Sequence, residues 1–377
     1  MRRSCWLRHK GPPEVAWIGF TDGADSRFDP AGLGVSPPGR IIHVDPDTLL
    51  PRGTLMAETR LSHDGHPQTL IAFQRSYPWP CSFSLQALPG GGFILIESQR
   101  DVVRHATLPH QPDGRMDIVR LTYSWDAPAK WGRLALERPE TDSIHVTKMK
   151  PPHPMPLADF KTTLTDPRQR EMADDVAFVA LSDQIEPLGP MPGLAGSVPV
   201  STPDGYLPIG HLKRGDLVMT ETGNVVPVLQ TVRRTVPARG NFRPVRLRAP
   251  YFGLRRDIVV APHQRLVIRG TQVEYMFGKE AVLVPARHLI NGVSALPAEG
   301  PDQVTYHQLL LPGHEVIVTA GCPAESLYIG RLRRKPEQLA ASLLAKVNRN
   351  RLPEHPKPAW PVLKPFEAIT LAMSRAA

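Results

Sequence analysis

Cysteine is scarce in this chain of 377 residues: Cys5, Cys81 and Cys322 stand far apart and no CxxC pair occurs. That excludes a disulfide framework and a cysteine-built zinc site as organising devices. Aromatic residues make up 6% of the chain and no apolar run reaches the length of a membrane-crossing helix. A helical membrane span is therefore not expected, and an aromatic-rich RNA motif is missing. His63 and His66, or His105 and His110, have neither cysteines nor paired carboxylates at ligand spacing, so no metal and no cofactor is expected. The basic N-terminus, MRRSCWLRHKGPPEVAWIGF, carries only the short apolar run Val15–Phe20. No classical signal peptide is implied; the compartment stays unassigned, with the cytoplasm as default and export by another route open.

What the chain has in excess is proline, 42 residues against 29 glycines. Long helices are thereby disfavoured and short, proline-bounded strands favoured. The 41% hydrophobic and 21% charged content places it among globular proteins, and the length suits two or three domains. From 39 to 183 the runs GTLMAETRL, QTLIAFQRS, CSFSLQALPGGGFILIES, RHATL, DIVRLTYSWD and GRLALER alternate apolar with polar residues between Gly, Pro and Asp turns. That pattern predicts an antiparallel β-sandwich closed by the strand Ala177–Asp183. Residues 1–38 read as an extension ahead of it and 184–192, with EPLGPMP at 186–192, as an extended linker.

The second half opens with STPDGYLPIGHLKRGDLVMT, Ser201–Thr220: two strands joined by a turn at Pro203-Asp204-Gly205, then a Gly215-Asp216 turn before Leu217-Val218-Met219. Three further blocks follow in order: IVVAPHQRLVI (Ile258–Ile268), VLVPARHLINGVS (Val282–Ser294) and VTYHQLLLPGHEVIVTAGCPAESLYIG (Val304–Gly330). Together they resemble the Hint domain, the self-cleaving module of hedgehog proteins and inteins, in its bacterial form. The resemblance covers 193–331 and implies an all-β horseshoe. More weakly, the preceding strands resemble the concanavalin or laminin-G type of sandwich.

The resemblance also implies where the chemistry would sit. The family places a Cys, or another nucleophile, at the first residue of the domain, about twelve residues before the turn glycine, and its thiol or hydroxyl adds to the preceding peptide carbonyl. Here that place is Gly193. A Thr or Ser followed three residues later by His protonates the departing amide nitrogen; the matching places hold Ala261 and Gln264, with His263 one residue early. In extended chain that slip turns His263 to the opposite face, an argument that a turn at Pro262 would relax. Where the family commonly carries an Asp near the HEV motif stands Pro312. Gly193, Ala261, Gln264 and Pro312 thus read as degenerate positions, and Ser197, His263 and His314 as remnants. No intact catalytic set is expected.

In the sandwich, Tyr123 and Trp125 share one strand face. An aromatic pair can stack on a sugar ring, although two core residues would look the same. Residues 332–377 form a basic tail, with ten Lys or Arg against three Glu between Arg331 and Arg375. Helices are predicted over Arg334–Leu352 and Pro365–Ser374. Without a helix-turn-helix or zinc-finger pattern, nucleic acid is not the expected partner. The functional expectation is a Hint-type scaffold without self-cleavage, acting as a binding or structural module for a protein or glycan. Two alternatives are self-cleavage near 193 by a non-standard nucleophile such as Ser197, and a carbohydrate-binding sandwich with a Hint appendage. Oligomeric state is not legible.

Overall fold

The computed structural model describes residues 17–35, 43–61, 66–110, 118–140 and 143–376. Cys5, His63 and the basic residues ahead of Trp17 lie outside the described residues. The chain is mainly β, with antiparallel sheets and, among the described residues, four short α-helices.

The first half is a sandwich of a seven-stranded and a four-stranded sheet. In the larger sheet the strand order is Ser143–Met149, Trp131–Arg138, Ile118–Asp126, Arg52–Arg60, Val176–Ser182, Trp17–Thr21, Ser26–Phe28. The smaller sheet is a meander of Gln68–Arg75, Cys81–Ala87, Phe93–Gln99 and Val102–Leu108. Alternation explains the smaller sheet directly: Cys81, Phe83, Leu85 and Ala87 are buried while the serines and Gln86 between them are half-buried. Leu55, Leu85, Leu95, Leu121, Tyr123 and Trp125 share the common core. The helix α1, Leu157–Thr165, seals one end of it with Phe160 and Leu164.

Two expectations about boundaries do not hold. Trp17–Thr21 is no extension: it pairs with Val176–Ser182 inside the large sheet, all five of its residues buried. The segment 184–192 is no free spacer either, because Glu186 and Leu188 are buried and Glu186 N donates to Thr54 Oγ1 at 2.9 Å.

The second half holds two six-stranded sheets and a small hairpin, Leu217–Met219 with Val225–Pro227. One sheet runs Gln230–Pro237, Gln303–Leu310, Leu194–Ala195, Ile258–Val260, Val245–Leu247, Ala295–Pro297. The other runs Gly205–Pro208, Pro199–Thr202, Val316–Thr319, Cys322–Glu325, Arg265–Arg269, Ala281–Pro285. They share a core built around Leu194, Val260, Leu266, Val284, Leu309 and Ile317. A second helix, α2, spans Thr271–Phe277.

The tail docks on this domain. Of the predicted helix Arg334–Leu352, Arg349–Arg351 forms a 3-10 turn and only Pro336–Ala340 is α-helical, as α3. Ser342 ends it by local competition: its hydroxyl donates to Leu339 O at 2.8 Å and accepts from Leu344 N at 3.1 Å. Leu339, Leu344 and Leu352 nevertheless bury against Leu327, Ile329 and Leu332. The last helix, α4, spans Pro365–Ala376 and inserts Ala368 and Leu371 into the domain core.

The polar face of the large sheet is not solvated, because the second domain covers it. Trp17, Phe20, Met56 and Phe178 join Val236, Phe242, Ala261 and Tyr306 in one cluster. Trp17 Nε1 donates to Thr235 O at 3.0 Å. Charged residues cross the same interface: Arg120 Nη2 meets Glu58 Oε2 at 2.8 Å with its guanidinium 3.9 Å above the Phe242 ring, and Glu58 Oε1 accepts from Asn241 N at 2.6 Å. Gly240, at φ +50°, is required there, since a Cβ would overlap Glu58 Oε1 and lie 2.8 Å from the Phe178 ring. Deeper in, Glu186 and Arg234 face each other at 3.6 Å with side chains 0% and 3% exposed.

Burial pushes the Glu186 carboxyl up to about 7, against the opposing pull of Arg234. A raised carboxyl binds its proton more tightly in the folded than in the unfolded chain. Its contribution to stability is complete below the ordinary carboxylate range and lost as pH rises through about 7. Between pH 5 and 8 the wild-type protein should therefore lose on the order of 1–3 kcal/mol that Glu186→Gln does not lose. Urea unfolding across that range reads the difference in slope; parallel profiles would refute the assignment.

Candidate functional site

The strand Leu194–Ala195 is short because it serves two neighbours: Leu194 lies in register with Val260 on one side and His307 on the other. That places Gly193 at the junction of the two domains, buried, with its carbonyl accepting from Ala261 N at 2.7 Å. The chain turns at Pro262-His263, closed by Gln264 N donating to Ala261 O at 3.0 Å. Through this turn three residues expected together from the sequence, Gly193, Ala261 and Gln264, do come together.

Gln264 is 1% exposed and its side chain occupies the space beside Gly193. An added Cβ on Gly193 would overlap Gln264 Oε1 and lie 3.0 Å from its Cβ. The amide is fixed on both sides. Its Nε2 donates to Glu325 O at 3.2 Å and Arg265 O at 3.0 Å, while its Oε1 accepts from Gln308 Nε2 at 2.8 Å. Gln308 Nε2 also reaches Glu325 O at 3.1 Å. Neutral amides thus fill the site, and neither side chain titrates or attacks a carbonyl.

The remnants fall elsewhere. His263 does not point away from the junction as extended chain would require: the turn sends its Nε2 to Met191 O at 3.2 Å. Ser197 is exposed in the tight turn in which Val198 N meets Ala195 O, outside the amide network. Pro312 is exposed in the loop before Val316–Thr319. His314 is buried, accepts from Ala359 N at 2.9 Å through Nδ1, and has Nε2 3.4 Å from Glu325 Oε2. It packs on Tyr328 and on His355, whose imidazole burial pushes down to about 4. His314 therefore helps to pin the tail. Cys322 is buried with its thiol pushed up to about 12 by burial, far from a reactive thiolate.

Tyr123 and Trp125 are corrected as ligand candidates. Both are fully buried, their rings 5.2 Å apart, with Tyr123 OH donating to Glu97 Oε2 at 3.1 Å and Trp125 Nε1 to Leu50 O at 3.0 Å. Inward-facing positions of the large sheet hold them, so neither ring offers a face to a sugar.

Sequence reasoning missed Gln308 and Glu325. Gln308 follows the His307 that registers with Leu194, and Glu325 lies opposite Val316 beside His314. Beyond the junction opens a cleft of about 1140 Å³ that His263, Gln264, Gln308 and Glu325 line together with residues of the sandwich and the tail. Among the described residues no group of three His, Cys, Asp or Glu side chains converges to hold a metal, and no helix is long and apolar enough to cross a membrane.

Residues 192–331 match the family model of the Hint domain. This part of the chain is a Hint domain, following a β-sandwich. Among solved structures, the MchDnaB-1 intein is 15% identical over 35% of this chain and 98% of its own, at a TM-score of 0.25. Ruminococcus gnavus IT-sialidase CBM40 bound to alpha2,6 sialyllactose is 11% identical over 36% of this chain and 78% of its own, at 0.26. Scytalido-glutamic peptidase with a peptide-based transition state analog is 8% identical over 56% and 92%, at 0.17. No curated protein matches the chain. The family model, not these likenesses, assigns the domain.

If Gln264 depends on the missing side chain at 193, the two positions are energetically coupled. Gly193→Ala should destabilise the protein by about 1–3 kcal/mol, through overpacking and broken amide hydrogen bonds. Part of that loss should be absent when Gln264→Ala is already present, giving a coupling of about 0.5–3 kcal/mol in a double-mutant cycle from chemical denaturation. Strict additivity would show that the close contact carries no energy.

Proposed function

We propose that this protein is a Hint-domain scaffold that does not cleave itself and that serves as a binding or structural module. The observation that carries the reading is the exchange at the junction: glycine in place of an attacking group, with the Gln264 amide lodged against it. Self-cleavage of this kind needs a thiol or hydroxyl adding to the carbonyl before it and an acid to protonate the leaving nitrogen. Gly193 offers no atom for the first step, and Gln264 has no proton to give at neutral pH.

Self-cleavage through Ser197 has less support, since that residue is exposed and outside the amide network at the junction. His263, held to Met191 O, has no hydroxyl at 193 to act on. A glycan-binding sandwich built on Tyr123 and Trp125 is not supported, because both rings are core.

Purified full-length protein, kept for several days with hydroxylamine or with a thiol, should retain a single intact mass by mass spectrometry. Two fragments meeting at Pro192–Gly193 would refute the reading. Their persistence in Ser197→Ala or His263→Ala would then exclude the altered residue as the agent.

A further inference from the structure

The cleft beside Gln264 is bounded by the sandwich, the Hint domain and the tail, so all three parts of the chain contribute to its walls. Its volume of about 1140 Å³ is at or above the range of about 300–1,000 Å³ that encloses a drug-sized molecule. Seven cationic side chains line it against three carboxylates. Two of those carboxylates already face protein cations: Glu140 lies 3.6 Å from Arg287, and Glu325 lies 3.5 Å from Arg265. Arg331, Lys335 and Lys364 stand exposed on the tail side, and no carboxylate among the lining residues is paired with them. Apolar groups are interleaved with this charge. Met191, Ile144, Leu327, Ile329 and Val362 line the cleft, with Phe366 60% exposed beside Lys364.

We infer that this cleft binds an acidic peptide in extended form, its carboxylates on Arg331, Lys335 and Lys364 and its apolar side chains on the wall that includes Phe366. The assignment deepens the binding-module reading above and rests on it. Mixed lining selects the chemistry. A polyphosphate or nucleic acid would satisfy the cations but leave the apolar wall uncovered and bring anionic charge close to Glu137, Glu140 and Glu325. A neutral apolar ligand would leave the rim cations unused. A peptide with alternating carboxylate and apolar side chains matches both features, and its backbone N–H groups suit the lining carboxylates.

The probe is a fluorescein-labelled ten-residue peptide of alternating glutamate and leucine, titrated with the full-length protein by fluorescence anisotropy. Saturable binding is expected, weakened about tenfold or more by the combined variant Lys335→Glu, Arg331→Glu and Lys364→Glu. A second triple variant, Lys213→Glu, Arg214→Glu and Lys279→Glu, changes the net charge equally at exposed residues outside the cleft. It should bind as the wild type does. Lys335→Glu alone, expected to weaken binding about twofold to threefold, keeps the test open if the first triple variant fails to fold. The proposal is overturned by failure to saturate, by equal losses in the two triple variants, or by inorganic polyphosphate binding more tightly than the peptide. Intact mass recorded after each titration separates the two readings: fragments would refute the non-cleaving scaffold while leaving the cleft assignment to stand on its binding data.

Discussion

One missing side chain sets the arrangement at the centre of this molecule. Because residue 193 is glycine, the amide of Gln264 can lie against the backbone at the domain junction. From there it joins the two sheets of the Hint domain: Gln308 belongs to one sheet, Arg265 and Glu325 to the other, and the Gln264 amide bonds to all three. A buried amide is tolerable only when its hydrogen-bonding capacity is met, and here both its carbonyl and its amino group have partners. The amide beside Gly193 thus bridges the two sheets. A larger side chain at 193 would have to displace an amide that helps to join sheets already packed on a common core.

The interface between sandwich and Hint domain follows the same logic of occupied space. Large rings, Trp17, Phe20, Phe178, Phe242 and Tyr306, pack across it, each worth about 1.5–3 kcal/mol when fully buried. Ion pairs set among them are less clearly stabilising, because desolvating two charges offsets most of their attraction. Glu186 shows this: burial raises its carboxyl despite the facing Arg234, so the pair lies close to its cost. The charged residues at this interface contribute register and fit more than net energy, and the rings supply the adhesion.

Much of the fold is written in local sequence, and the exceptions share a cause. The sandwich strands were legible because period-two alternation and glycine, proline and aspartate turns report local geometry. Gly193, Ala261 and Gln264 were legible as a group through the spacing of the Hint motifs. For His263 the sequence left two readings, and the turn at Pro262-His263 selects the one in which face parity does not apply. Glu58, Arg120, Arg133 and Glu137 look like outward residues of a solvated face, yet all are at least nine-tenths buried, Glu58 and Arg120 against Asn241 and Phe242, Arg133 and Glu137 against the 184–192 segment. Nothing within a few residues of them encodes that cover. Gln308 carries no spacing signal at all; only the pairing of Leu194 with His307 brings it to Gln264.

The same interface limits what a cut at the junction could achieve. A break between Pro192 and Gly193 would leave Trp17 bonded to Thr235, Glu58 bonded to Asn241, and Phe20, Met56 and Phe178 still packed on Val236, Phe242 and Tyr306. Every one of these contacts joins residues on opposite sides of the break, and none depends on the peptide bond itself. At about 1.5–3 kcal/mol for each large buried side chain, a handful of such contacts is enough to hold two nicked halves together. Release of the sandwich would therefore require a change in the interface as well as a nucleophile. A filled junction and a closely packed interface are two aspects of one arrangement, in which the second domain covers the outer face of the large sheet.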